Sequence, residues 1–182
     1  MYSELDQLIK EHNTFCLTTH INPDGDSIGS EIAFYRYLKL KGKSAVILNA
    51  SFSPPELAFL DPDNIILTAS EQARIPDIDI LICLDTALIS RFEKIGDAID
   101  LNNINIYPVD HHIPDDKSLS GLVDPHAGST GEILYRYFSH SIGTPLPSEI
   151  AEPLFYAIAS DTGWMQFSNT DPEVLRILAK LA

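Results

Sequence analysis

The sequence predicts an α/β fold, a mostly parallel five-stranded sheet flanked by helices. Short apolar runs alternate with amphipathic stretches of helical period, which is the pattern of βαβ units. Three of those runs end in clustered acids and histidines, as parallel strands do when they open onto a common crevice. At 182 residues and 45% apolar, the chain is long enough for one domain to bury a core without disulfide or metal staples.

The first expected strand is Thr14–Thr19, an apolar run bounded by polar residues. A crossover helix follows from Ser27 to Lys41, with Ile28, Ile32 and Tyr35 on one face and Gly42 as its stop. Further strands are expected at Ser44–Leu48, Ile65–Leu67, Asp79–Leu84 and Ile104–Val109. Ser129 opens a second helix, its hydroxyl and Glu132 forming a capping box ahead of Ile133, Leu134, Tyr137 and Phe138. A third helix, about Ser148 to Ser160, contains Pro153, which removes a backbone donor, so a kink or a start is expected there. The last opens at Asp171-Pro172 and is still running at Ala182, which suggests that residues 1–182 are one domain of a larger protein that continues beyond them. The proline-rich pieces, Ser53-Pro54-Pro55 and Thr144-Pro145-Leu146-Pro147, are too short for anything but loops.

Twelve basic against 26 acidic side chains give a net charge of −14. That balance disfavours gripping a long nucleic acid or an anionic bilayer through a basic face. A small anionic substrate fits only if cations bind first. Cys16 and Cys83 each sit inside an apolar run and read as buried thiols. The segment Met1 to Asp6 carries acids and no apolar h-region, and no run reaches the length of a membrane span, so the expected location is the cytoplasm.

The polar residues gather at strand ends. Thr14–Thr19 runs into His20-Ile21-Asn22-Pro23-Asp24-Gly25-Asp26, Asp79–Leu84 into Asp85, and Ile104–Val109 into Asp110-His111-His112. Pro23 and Gly25 make a tight turn accessible, so that Asp24 and Asp26 can face different partners. Alone, an Asp-Gly-Asp turn is most simply a solvated loop with a helix N-cap, and paired histidines are most simply a surface loop. Asp85 is harder to dismiss, because a carboxylate abutting a buried strand is costly without a partner. A shared cation would be that partner. Crowded carboxylates raise one another's pKa unless positive charge intervenes, and two divalent ions would relieve them. A donor set of histidine and aspartate without cysteine suits Mn²⁺ first, with Mg²⁺, Co²⁺ or Zn²⁺ as alternatives. Two such ions about 4 Å apart activate a water and stabilise the departing oxygen of a phosphate ester, which makes phosphoester hydrolysis the expected reaction.

Assembled in order, these residues resemble the DHH phosphoesterase family, whose Asp-His-His signature is here Asp110-His111-His112. The likeness runs over nearly the whole chain, through His20 to Ser30, Leu84-Asp85-Thr86, Asp124-Pro125 up to Ser129-Thr130, and Ser160-Asp161-Thr162-Gly163. It implies a first metal held by His20, Asp24 and Asp85, and a second by Asp26, Asp85, His111 and Asp161, with Asp85 as the bridge. It further implies that His112 faces the substrate as phosphate binder or proton donor while Asp110 supports it, and that Ser129 and Thr130 lie near the substrate. Asp161 enters through the resemblance alone, since Asp161-Thr162-Gly163 otherwise reads as a helix stop. His126, His12 and His140 have no ligand spacing to recommend them. Trp164 and Phe167 read first as packing behind the metal loop and second as stacking partners for a base.

Within the family, the His20–Ser30 segment and the tail from Asp161 to Thr170 look most like the bifunctional oligoribonuclease and 3'-phosphoadenosine-5'-phosphate phosphatase subgroup. The resemblance therefore implies a short oligoribonucleotide or a nucleotide bisphosphate as partner, no long duplex, no membrane, and a homodimer as an option. It also implies a second, smaller domain that grips the far end of the substrate, and nothing in these 182 residues matches one. Two alternatives stand beside this reading: a nucleotide-binding module with little turnover, and a manganese-dependent inorganic pyrophosphatase. A RecJ-type nuclease would call for a longer chain and a basic track.

Overall fold

The structure is a computed structural model that describes residues 2–71, 75 and 78–182. Six strands form one sheet in the order β3-β2-β1-β4-β5-β6: β1 Thr14–Thr18, β2 Ser44–Asn49, β3 Ile66–Thr68, β4 Ile80–Leu84, β5 Asn105–Asp110 and β6 Leu122–Val123. Every pairing between neighbours is parallel. The five expected strands are present within a residue or two of their expected bounds. The sixth, β6, was not expected, because two residues are too short to carry an alternating pattern; it extends the edge beside β5 through Val109 and Asp110.

Five α-helices accompany the sheet: α1 Ser3–Glu11, α2 Gly25–Leu40, α3 Thr130–Ile142, α4 Ser148–Asp161 and α5 Pro172–Leu181. The sheet is covered unequally. Phe15, Leu17, Ile80, Ile82 and Leu84 point to the face where all five helices pack. Cys16, Leu81 and Cys83 point to the other, which is closed by Ala69 and by Phe92, Ile95, Ala98 and Ile99 in or beside short 3-10 turns. Handedness accounts for the split. From β1 the chain steps through α2 to β2 in one direction, whereas β3 to β4 and β4 to β5 step in the other, so right-handed crossovers fall on opposite faces. The reversal lies beside β1, and the crevice outside the carboxyl ends of β1 and β4 is where such a sheet takes ligands. Both cysteines are fully buried, and burial pushes their thiols up, so neither is a nucleophile at neutral pH.

α2 is not the one-sided helix its pattern suggests. It lies against the sheet beneath α4, and Tyr35 is one of its few partly exposed members. α4 runs from Ser148 through Pro153 to Asp161, so the helix does not start at the proline. Gly29 explains how the two helices come so close: a Cβ there would lie 2.5 Å from the Pro153 carbonyl oxygen and 2.9 Å from Ala157 Cβ. No helix among the described residues is long and apolar enough to cross a membrane.

Candidate metal centre

Each candidate ligand is delivered by the end of an element. His20 follows β1. Its Nδ1 lies 2.8 Å from the carbonyl oxygen of Ile21, which fixes the tautomer and turns Nε2 inward. Asp24 is the N-cap of α2: Oδ1 accepts from the Ser27 amide at 3.1 Å, and Oδ2 lies 4.0 Å from His20 Nε2. The N-cap reading and the ligand reading of Asp24 are therefore compatible, one oxygen serving each. Asp26, the second residue of α2 and 1% exposed, aims at the start of α3, where it accepts from the amides of Thr130 at 2.7 Å and Gly131 at 2.9 Å. An anion at a helix N-terminus is favoured by the dipole and the free amides.

Asp85 stands in the middle. It caps β4 at φ +60°, a left-handed conformation that an aspartate tolerates better than most residues, and its amide donates to the Val109 carbonyl at 3.0 Å. Its Oδ2 is 3.4 Å from His20 Nε2 and its Oδ1 is 3.5 Å from His111 Nε2. Two hydroxyls steady it, Ser27 Oγ at 2.8 Å on Oδ2 and Thr130 Oγ1 at 3.0 Å on Oδ1. Asp161, the last residue of α4, closes the ring with Oδ2 at 3.6 Å from His111 Nε2. Ligand atoms thus converge in three overlapping sets: His20, Asp24 and Asp85; Asp85, His111 and His112; and Asp26, His111 and Asp161. Asp85 joins the first two and His111 the last two.

His112 is different. Its Nδ1 is 2.7 Å from Asp110 Oδ1, which also accepts from the His112 amide at 3.1 Å. With Nδ1 held by that carboxylate and half of the side chain exposed, Nε2 is the nitrogen left for the cleft. The two Asp-His-His imidazoles therefore differ: His111 lies among the carboxylates, while His112 is half exposed, bound to Asp110 and with Nδ1 3.8 Å from Asp85 Oδ1 at the edge of the cluster.

The electrostatics favour bound cations. Burial, and then the Asp85 and Asp161 charges, push Asp26 well above the ordinary carboxylate range despite its two amide donors. Burial also raises Asp161; the charge of His111 opposes that, and the charges of Asp85 and Asp24 reinforce it. Asp85 is buried as well, but the hydrogen bond from His20, the charge of His111 and the Ser27 hydroxyl outweigh that and hold it low. A carboxylate cluster of this kind, with histidine nitrogens at its edges and no cysteine, fits divalent ions of the Mn²⁺ type.

Ser129 and Thr130 are fully buried. Ser129 Oγ accepts from the Glu132 amide at 3.1 Å, and Glu132 Oε2 accepts from Gly128, one residue earlier than a capping box requires. Glu132 also pairs with Arg136, which bonds Asp124 at 3.2 Å. The hydroxyl and amide of Thr130 go to Asp85 and Asp26. Both residues therefore stand behind the ligands in this structure, not on a surface that a substrate can reach. His126 and His140 are exposed and His12 ends α1, all three outside the ligand sets. The supporting roles of Ser27 and Thr130 carried no sequence signal beyond a hydroxyl near a helix start.

Residues 14–158 match the DHH family, N-terminal domain. The chain belongs to this family. It is 34% identical over 171 residues to the bifunctional oligoribonuclease and PAP phosphatase NrnA of Thermus thermophilus, covering 91% of this chain and 48% of that protein. Over 175 residues it is 31% identical to a probable manganese-dependent inorganic pyrophosphatase of Streptococcus thermophilus, covering 90% and 54%. An exopolyphosphatase-related protein from Bacteroides fragilis shares the fold with a TM-score of 0.86 at 21% identity, over 98% of this chain and 54% of that one. The chain thus spans about half the length of these relatives.

Proposed function

We propose that this chain is the catalytic half of a two-metal phosphoesterase that hydrolyses short oligoribonucleotides, 3'-phosphoadenosine-5'-phosphate, or both, in the cytoplasm. The observation that carries the reading is Asp85, whose two oxygens face His20 on one side and His111 on the other. One cation would be held by His20, Asp24 and Asp85 and the second by Asp26, Asp85, His111 and Asp161. Bound there, a pair of divalent ions supplies a nucleophilic water near neutral pH and neutralises charge on the phosphate. The chain's own contribution is placement. Ser27 and Thr130 hold Asp85, the α3 amides hold Asp26, and the Asp110 carboxylate keeps His112 oriented. The hydrogen bond to Asp110 raises His112 above its ordinary pKa, so the imidazolium persists to donate to a phosphate oxygen or protonate the leaving group through Nε2.

The Thermus relative, named for both nucleotide activities, supports this substrate class, and the acidic net charge supports a short substrate over a long one. Inorganic pyrophosphate is the second reading, favoured by the Streptococcus thermophilus relative. The test supplies Mn²⁺ and follows mononucleotide or phosphate release from an RNA dinucleotide, from 3'-phosphoadenosine-5'-phosphate and from pyrophosphate, with Asp85→Ala as control. Turnover of a nucleotide substrate that vanishes in D85A, with both ions lost by elemental analysis, is the expected result. Retention of two ions by D85A would refute the bridge, and hydrolysis of pyrophosphate alone would reverse the order of the two readings.

A further inference from the structure

The segment after Asp161 is built in an unusual way. Gly163, Trp164 and Met165 lie consecutively at φ +57°, +54° and +66°. A glycine adopts this freely, but a bulky side chain does so only where its surroundings enforce it. Here they do. The Trp164 amide donates to the Ala159 carbonyl at 2.7 Å, the Gln166 and Phe167 amides both donate to Thr162 O at 3.0 Å, and the Phe167 ring fills the space over Gly163. Asn169 Nδ2 ties the loop back to the Asp161 carbonyl at 3.1 Å and to the Gly128 carbonyl at 2.8 Å. A rigid, conformationally costly loop thus presents an indole that is 51% exposed, three residues beyond a candidate metal ligand.

Trp164 does not stand alone. Its ring meets Tyr156 at 5.6 Å between centroids and 82° between planes, and Tyr156 meets the exposed ring of Phe59 at 5.1 Å and 76°. Its middle ring packs against the turn that carries two of the ligands: a Cβ on Gly25, between Asp24 and Asp26, would lie 2.8 Å from Tyr156 Cε1. Its far end opens on a cavity of about 710 Å³ lined by Phe59, Tyr156, Ile32 and Arg36. A T-shaped contact engages at most one face of a ring, so the indole keeps a face toward solvent. Hydrophobic packing, the simplest reading of an aromatic in this tail, does not account for an indole held half in water.

We propose that Trp164, backed by Tyr156 and Phe59, is the stacking platform for the nucleobase next to the scissile phosphate. This inference rests on the two-metal phosphoesterase reading and names the feature that makes the site choose nucleotides. The occupant follows from position. Trp164 follows the ligand Asp161 by three residues, and its partner Tyr156 lies against Gly25, between the ligands Asp24 and Asp26; every base has a face that an aromatic accepts regardless of sequence. Only an unpaired base can lie there, which restricts the platform to very short or single-stranded substrates.

Trp164 is the only tryptophan in the chain, so its fluorescence reports the platform directly. With Mn²⁺ present, adenosine 5'-monophosphate should quench the emission saturably and ribose 5-phosphate should not. Trp164→Ala should weaken an RNA dinucleotide about 10-fold, seen in KM, and leave unchanged a dinucleotide lacking the base beside the scissile phosphate. Trp164→Phe should restore most of that loss. Absence of quenching by 10 mM of the mononucleotide, an equal loss on both dinucleotides, or an emission shift on raising the protein concentration alone would each overturn the proposal, the last because a second copy would then cover the indole. Release of mononucleotide from the dinucleotide, measured on the parent chain, reports separately on the hydrolase reading.

Discussion

Replacing Gly29 by alanine tests whether the contact between α2 and α4 sets the geometry of the metal centre. The added methyl would lie 2.5 Å from the Pro153 carbonyl oxygen and 2.9 Å from Ala157 Cβ, where ordinary contact begins at 3.4 Å. Neither atom sits at the end of a flexible side chain, so the helices themselves must separate by most of an ångström. Overpacking of this kind costs about 1–3 kcal/mol, while alanine in place of glycine inside a helix returns about 1 kcal/mol. The net loss of up to about 2 kcal/mol corresponds to a melting temperature lower by up to about 4–8 °C for a domain of this size. Asp26 lies three residues before Gly29 on α2, and Asp161 lies four after Ala157 on α4. Separation of the helices therefore separates these two carboxylates, and disturbing the support of metal ligands weakens binding about 10- to 100-fold. Thermal melts of the metal-free protein and calorimetric titration with Mn²⁺ read the two effects. A raised melting temperature would refute the packing argument. A lowered one with undiminished Mn²⁺ affinity would refute the coupling between helix spacing and the ligand set.

Three further outcomes are expected. His112→Ala should retain both ions by elemental analysis and lose about 10²- to 10⁴-fold in turnover; loss of the metals instead would exchange the roles of His111 and His112. Because the hydrogen bond to Asp110 raises the His112 pKa, turnover that needs the imidazolium should fall as pH rises through that raised value, and Asp110→Asn should move the fall to lower pH; an unmoved alkaline limb in the pH–rate profile counts against His112 as the cationic group. Burial pushes Glu31 from 4.5 up to about 8, with Asn49 Nδ2 donating to one oxygen and the other left without a partner. The fold favours the neutral acid, so its contribution is intact below pH 4.5, declines from there to about 8 and is level above. The denaturant stability of Glu31→Gln relative to the parent should therefore rise across that window; a pH-independent difference between the two would be the contrary result.

The strand ends were legible because each change of character is abrupt: Leu84 to Asp85 and Val109 to Asp110 pass from apolar core to ligand in one step. A parallel sheet then does the gathering, bringing His20, Asp85 and His111 to one crevice from separations of dozens of residues. Asp161 was not legible in this way, since it ends a helix whose periodicity says nothing of where its terminus points; the family resemblance supplied it. The strand β6 and the helix α1 carry too few apolar positions to announce themselves, α1 burying only Leu5 and Ile9. Ser129 and Thr130 illustrate the opposite case. Their place at the start of a helix was plain, but whether that terminus faces a phosphate or a side chain depends on α2, which brings Asp26 against it.

That last placement has a consequence for how the domain recognises anions. A helix N-terminus is the usual protein device for binding phosphate, and the crevice has two of them. Both are already occupied, α2 by its own Asp24 and α3 by Asp26. The amides that would bind a substrate instead fix the carboxylates that would bind cations. The free protein thus presents a phosphate with the carboxylates Asp24, Asp26, Asp85 and Asp161 in a chain of net charge −14, and with His112 as an outward donor. Coulomb repulsion between like charges at such distances is strong in a partly buried cleft. On the proposed two-metal reading, attraction for phosphate would be created by the ions, and the helix dipoles, the hydroxyls and the left-handed Asp85 would serve to place them.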